Sequence, residues 1–312
     1  MSLHERAVRF GSHGTLIGIV TPPPAGVTPH AAFAFLNAGV VHRVGPNRMY
    51  VTAARRLAAQ GFLCVRFDLS GLGDSSSRRD ATPVDQAVVL ETTEVLSALE
   101  REYGVRRFVL AGLCSGAVVA FRAALADERV IGAVLLNPQG FVQSAEWTNY
   151  VAARAHARRL WRDKLLSPRS WRKALTGKSD YRRIAGLLRQ RIGSGARRDG
   201  GVSRIADGLA ADFQRLAGRG VRFLLACSEG DFGMDYLTEI LGPRFARLER
   251  LDTLTLPAGD HSLTLAESQR QFFEGAERWA SAFHMPLTAA KNQGAPVGAE
   301  GGALVAAPGR PA

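Results

Sequence analysis

The chain has 312 residues, 46% of them hydrophobic, enough for one sizeable core with an insertion or for two domains. Its formal net charge is +12, and it contains no run of about 18 apolar residues that would make a transmembrane helix. The start, "MSLHERAVRFGSHGTLIGIV", lacks the basic, apolar and small-residue segments of a secretory signal, so a cytoplasmic location is expected.

In chain order, "RAVRFGSHGTLIGIVTPPP" reads as a hairpin at a sheet edge. "AAFAFLNAG" is a short apolar strand, and "RMYVTAARRLAAQG" has helical periodicity with a stop at Gly61. "FLCVRFDLSGLGDS" is a strand that breaks into a Gly-rich loop. The next stretch, "PVDQAVVLETTEVLSALEREYG", is a helix with Pro83 near its start and Gly104 at its end. "RRFVLAG", "SGAVVAFRAALA" and "VIGAVLLNP" then predict strand, helix and strand, the last stopped by Pro138. After residue 220 the alternation resumes. "VRFLLACSEGD" is a strand and loop, "MDYLTEILGPRFARL" a helix, "LDTLTLPAGDHSL" a strand and loop, and "TLAESQRQFFEGAERWASAF" a closing helix. Strands that are apolar throughout, between amphipathic helices, imply an α/β fold with a mostly parallel central sheet covered on both faces.

Residues 139–220 interrupt this rhythm. They look helical without strands and hold 18 Lys+Arg against 6 Asp+Glu, so this segment carries the entire excess charge. An acidic or phosphorylated partner accounts for such a segment, and so does a solvated Arg-rich helical surface. The domain reading is a core over 1–138 and 221–284 with a helical cap over 139–220. Beyond about Met285 the composition is Ala, Gly and Pro with little to bury, which predicts a disordered tail over 285–312.

The three cysteines, Cys64, Cys114 and Cys227, are spaced neither as a disulfide framework nor as a metal site. Cys64 and Cys227 lie in strand-like runs and read as small buried residues. Cys114 is different. Gly112-Leu113-Cys114-Ser115-Gly116 joins a strand to a helix. A turn that presents a nucleophile in a strained conformation needs small residues two before and two after it. Cys114 has Gly112 and Gly116 at those positions, whereas Ser115 would have Leu113 and Ala117. Cys114 is therefore the expected nucleophile, and the Ser115 backbone N–H an expected oxyanion donor. A second donor should come from "FLNAGVVHRVGPNR", with Gly39 the choice. His42 and Arg43 in that loop either face substrate or are satisfied surface residues.

A thiol needs a base to become a thiolate near neutral pH. Acid and then histidine follow this kind of nucleophile along the chain. Of the seven histidines only His261, in "PAGDHSL", sits in a loop after a late strand, which makes it the expected base. In "LLACSEGDFGMDY" Asp231 has the best offset for the acid, with Asp235 the second choice or the start of the next helix. Asp260, next to His261, should point away and fix its loop.

With these motifs in order, residues 1–284 resemble the α/β-hydrolase superfamily. "DLSGLGDS" resembles its D-x-R-G-x-G-x-S turn, with Ser70 where Arg is common. "GLCSG" resembles its nucleophile elbow, "SEGD" its acid loop and "GDHS" its histidine loop. "NAGVVHRVGPNRMY" together with these motifs looks similar to a bacterial serine-aminopeptidase-like branch, which includes hydrolases associated with the exosortase system and exopolysaccharide clusters. Some members of that branch carry Cys in the elbow, as dienelactone hydrolases do. Asn37 stands where many relatives have His. The resemblance implies esterase or thioesterase chemistry without a metal or cofactor.

In such hydrolases the position of 139–220 carries a cap over the site. Trp147, Tyr150, Trp161, Trp171 and Tyr181 would line its pocket or glue it to the core. A thioester acyl-enzyme on Cys114 could pass its acyl group to an acceptor other than water, so acyltransferase activity is an alternative to hydrolysis. A non-catalytic binding protein and a peptidase are further alternatives. A small-molecule acyl substrate is expected; the cationic segment points to one carried on acyl carrier protein or coenzyme A, or to an anionic polysaccharide ester. No nucleic-acid-binding motif is present. The sequence leaves the oligomeric state open.

Overall fold

The computed structural model describes residues 4–11, 14–142, 151 and 200–284. Its strands are β1 (Arg6–Phe10), β2 (Leu16–Thr21), β3 (Ala32–Leu36), β4 (Leu63–Phe67), β5 (Phe108–Leu113), β6 (Val130–Leu136), β7 (Arg222–Ser228) and β8 (Leu251–Leu256). They form one sheet in the order β1-β2-β4-β3-β5-β6-β7-β8. The hairpin β1–β2 is antiparallel and joins β4 antiparallel, and the remaining pairings are parallel. The sheet edge expected for the N-terminal hairpin is where it lies.

The helices are α1 (Met49–Ala59), α2 (Val84–Tyr103), α3 (Ser115–Ala126), α4 (Gly200–Gly218), α5 (Gly233–Leu241) and α6 (Ala266–Ala280). Period-2 alternation in the central strands feeds two separate cores. Phe33 and Phe35 of β3, Val109 and Ala111 of β5 and Leu224 of β7 face α1 and α6. Ala34, Leu110 and Phe223 face α2, α3, α4 and α5. Both faces are dry, so both sets of positions are apolar and the strands read as unbroken hydrophobic runs. Gly104, in the left-handed conformation, closes α2 as its place after the last periodic residue predicts.

Two boundaries differ from expectation. The helix read through Leu248 ends at Leu241, because Gly242 (φ 57°) and Pro243 turn the chain into a 3₁₀ stretch. Residues 200–218, counted with the cap, are instead part of the body. The apolar stripe of α4 buries Leu209, Phe213 and Leu216, and the Phe213 ring lies 4.5 Å from Phe121 and 5.0 Å from Phe223. Arg219, just past α4, donates to the Ala124 and Asp127 carbonyls at the end of α3 (2.9 and 3.0 Å). One of the cations in the basic segment thus closes a helix C-terminus. Residues 143–150 and 152–199 of the expected cap, and the tail, lie outside the described residues. No helix among the described residues is long and apolar enough to cross a membrane.

If α4 belongs to the body, Phe213→Ala should destabilise the protein by about 3–5 kcal/mol in urea unfolding. A change within about 0.5 kcal/mol, as at an ordinary surface position, would return α4 to a peripheral layer.

Candidate active site

The loops that follow the parallel strands gather at one edge of the sheet. The chain leaves β3 toward β4 on one side and β5 toward β6 on the other, so a crevice opens between the ends of β3 and β5. Cys114 sits there, between β5 and α3, with φ 58° and ψ −119°. This conformation costs a non-glycine residue roughly 1–3 kcal/mol. The surroundings enforce it. A Cβ on Gly112 would lie 2.2 Å from the Gly116 backbone, and a Cβ on Gly116 would lie 2.5 Å from the Asn37 carbonyl. Below the turn, the buried Tyr50 hydroxyl accepts the Leu113 N–H (2.9 Å), and the Cys114 N–H reaches Leu136 O (2.9 Å). The Cys114 thiol is half-buried, while Cys64 and Cys227 are buried and their thiols pushed far up by desolvation.

Asn37 holds the neighbouring loop. Its amide donates to Val41 O (2.9 Å) and Asp68 Oδ1 (3.1 Å), and its Oδ1 accepts the Leu69 N–H (2.9 Å). Beyond it, Gly39 (φ 56°) donates its N–H to Ser115 Oγ at 2.8 Å. The two expected oxyanion donors are therefore neighbours, with Gly39 engaged by the Ser115 side chain.

Of the two readings of Arg43, the structure favours the satisfied one. Its guanidinium is buried and bonded to both Asp68 Oδ2 and Asp74 Oδ2 (2.6 Å to the latter), and its N–H donates to Asp68 Oδ1 (2.6 Å). Buried Asp68 would otherwise carry an uncompensated charge. Arg43 Nη1 also lies 2.7 Å from Nε2 of His42, whose ring is partly exposed. His42, Asp68 and Asp74 have potential ligand atoms within 4.8 Å of one another. Arg43 already occupies their acceptors, so this donor set does not fit a cation. Trp147 and Tyr150 lie outside the described residues, as do Trp161, Trp171 and Tyr181.

The loops after β7 and β8 interlock. Gly230 N–H donates to Gly259 O (2.8 Å), and a Cβ on Gly230 would lie 2.5 Å from that oxygen. This contact sets Asp231 beside His261. Asp231 Oδ1 is 3.0 Å from His261 Nδ1, its Oδ2 accepts the Gly233 N–H (2.9 Å), and only 7% of the residue is exposed. Cys114 lies near enough to the same imidazole to help raise its pKa. The structure thus joins Asp231 to His261, with Cys114 the next influence on the imidazole. Asp235 starts α5, and the Asp260 carboxylate binds Thr264 N (2.8 Å) and Oγ1 (2.5 Å) within its own loop.

Other site residues carried no sequence signal. Asn137 (φ 42°) is fully buried at the end of β6. It donates to Ser228 Oγ (3.0 Å) and His261 O (3.0 Å) and accepts the Ser228 N–H (2.8 Å). Gln139 Nε2 lies 3.2 and 3.3 Å from the two Asp231 oxygens and 3.3 Å from His261 Nδ1. The Tyr236 hydroxyl accepts the N–H groups of Gly140 (3.2 Å) and Val142 (2.9 Å). These roles depend on contacts across the fold, and polar residues just past a strand otherwise read as turn formers.

The Asp231 carboxylate, and after it Cys114, pushes the His261 pKa up to about 10 against the desolvation that lowers it. An imidazolium stabilised in the folded state contributes stability that is complete below about pH 6.5 and is lost as pH rises through about 10. Asp231→Asn should bring the His261 titration, followed by NMR, back toward its ordinary value. The same variant should lose most of the wild-type decline in stability across that window. An unchanged His261 titration would show that Asp231 does not act on it.

Residues 24–275 match the family described as the alpha/beta hydrolase family. A comparison of the sequence with curated proteins finds no match. Among solved structures, the chain resembles an esterase of Pyrococcus furiosus (TM-score 0.57, 13% identity, 90% of this chain and 91% of that one). It also resembles an alpha-beta serine hydrolase homologue of Coxiella burnetii (TM-score 0.53, 13% identity, 89% and 97% covered). A proline iminopeptidase-related protein of Thermus thermophilus is similar as well (TM-score 0.50, 21% identity, 91% and 99% covered). At these identities the likeness is one of fold.

Proposed function

Since the chain belongs to the alpha/beta hydrolase family, we propose that it hydrolyses an ester or thioester through Cys114, His261 and Asp231. The observation that carries this reading is the contact of the Asp231 carboxylate with His261 Nδ1, together with the strained turn that presents Cys114 and admits no side chain at Gly112 or Gly116; Cys114 also raises the His261 pKa. With Nδ1–H directed at Asp231, Nε2 is the nitrogen left to exchange a proton with the thiol.

The thiol proton passes to His261, and the imidazolium is held by buried Asp231. The Cys114 thiolate attacks the acyl carbon, and the carbonyl π electrons move onto oxygen, which the Ser115 and Gly39 N–H groups receive. Collapse of this intermediate breaks the bond to the alcohol or thiol, which takes the proton from His261. A thioester acyl-enzyme remains. Water then attacks it, giving a proton to His261, and collapse expels the Cys114 thiolate with release of the acid. A thioester is more susceptible to amines and thiols than an oxygen ester, so an acceptor other than water can compete at this step.

The excess charge of residues 139–220 favours acyl groups carried on acidic or phosphorylated carriers, acyl carrier protein and coenzyme A among them. For such substrates KM should rise steeply with ionic strength, whereas p-nitrophenyl esters should show little salt dependence. A salt-independent KM for the carrier substrates would remove this preference.

Iodoacetamide should modify Cys114 rapidly and leave buried Cys64 and Cys227 untouched in the folded protein. The rate should fall in His261→Ala. Turnover of a panel of p-nitrophenyl and coenzyme A esters should drop by about 1,000-fold or more in Cys114→Ala. Equal labelling of wild type and His261→Ala, with no turnover of any ester, would favour a binding protein that has kept the fold. A rate of acyl-enzyme decay that rises with added amines or thiols would favour acyl transfer.

A further inference from the structure

The contact between Gly39 N–H and Ser115 Oγ raises a problem for the second oxyanion donor. At 2.8 Å the hydroxyl oxygen already takes the N–H that the developing oxyanion needs. The peptide that carries this N–H, Ala38–Gly39, is also held through its carbonyl. Gly39 sits in a turn closed by Val41 N–H on Ala38 O (3.0 Å), and no heavy atom of the described residues lies within 4 Å of where its Cβ would be. Val40, next in the turn, is 86% exposed. Buried Ala38 and the turn bond hold one side of this peptide, and Ser115 Oγ holds the other, so the hydroxyl sets the fine direction of the N–H. Ser115 is the first residue of α3, and its backbone is fixed by the turn at Cys114.

We propose that Ser115 is a positioning residue whose hydroxyl keeps the Gly39 N–H turned into the empty site and yields it to the acyl oxygen only as that oxygen becomes charged. This rests on the ester or thioester chemistry proposed above. A neutral carbonyl and a hydroxyl are acceptors of similar strength, so the ground-state substrate gains little by displacing Ser115 Oγ. An oxyanion forms a charge-assisted bond roughly twice as strong and displaces it readily. The exchange therefore favours the transition state over the bound substrate, and its effect falls on kcat rather than on KM.

The test compares wild type, Ser115→Ala and Ser115→Thr on the p-nitrophenyl ester that wild type turns over fastest. Alongside it, binding is measured for an aldehyde of the same acyl chain and for the matching primary alcohol. The aldehyde adds to the Cys114 thiol, its oxygen entering the same position as the oxyanion, whereas the alcohol forms no such adduct. Ser115→Ala should lose on the order of 10-fold in kcat, less than the roughly 100-fold that follows removal of an oxyanion donor itself. Its KM should stay within about 2-fold, aldehyde affinity should fall in parallel with kcat, and alcohol affinity should not change. Ser115→Thr, which keeps a hydroxyl, should restore most of the loss. Wild-type kinetics in Ser115→Ala, a loss confined to KM, or an equal loss of alcohol affinity would each overturn the proposal while leaving the hydrolase reading intact. Failure of wild type to turn over any ester, with no aldehyde adduct at Cys114, would overturn the hydrolase reading and this inference with it.

Discussion

The site depends on how closely β5 and α3 approach each other at their junction. Backbone atoms of Gly116 lie where a side chain on Gly112 would have to go, and Gly116 itself is pressed against the end of β3. The residue between them has no room to relax, and Cys114 is held with its φ positive. That one steric constraint fixes the direction of the thiol and the start of α3. It also sets the Ser115 N–H and the distance from α3 to the Gly39 turn. The packing of two apolar cores against a parallel sheet supplies the rigidity that keeps so strained a turn in place.

Polar side chains do the local joining at the edge of the sheet. Asn37 and Asn137 stand at the ends of β3 and β6, both buried: Asn37 ties its own loop to the loop after β4, and Asn137 ties β6 to Ser228 and the His261 loop. Asp68 accepts from Asn37, from the Arg43 N–H and guanidinium, and from Asp74 N–H. A buried carboxylate without such donors would be costly, and one with all of them locks the loops after β3 and β4 into a single arrangement. The position where relatives commonly carry Arg is Ser70 here, and the cation that serves this loop comes from Arg43.

The sheet and its helices were legible because burial on both faces leaves the central strands β3, β5 and β6 without polar positions, and the helices between them with one apolar stripe. Cys114 was legible because the flanking glycines admit only one register, and Asp231 and His261 because they stand where two late strands break into glycine-containing loops. Gln139 and Asn137 were not, since a polar residue after a strand is compatible with a turn, and only the fold brings it to Asp231 or His261. The two readings of Arg43 could not be told apart in the sequence, because its partners, Asp68 and Asp74, are more than twenty residues away. The place of α4 in the body was hidden by its basic, insertion-like neighbourhood, although its buried Phe213 packs on Phe121 and Phe223.

The hydroxyl of Tyr236 has a consequence beyond the hydrogen bonds it makes. By receiving the N–H groups of Gly140 and Val142, it pins the chain just after Gln139 has met Asp231 and just before residue 143. At the other end α4 is anchored in the core. The intervening stretch leaves from one fixed post and returns to another, neither of which is its own. The length and charge of that stretch can therefore change without moving the contact between Asp231 and His261.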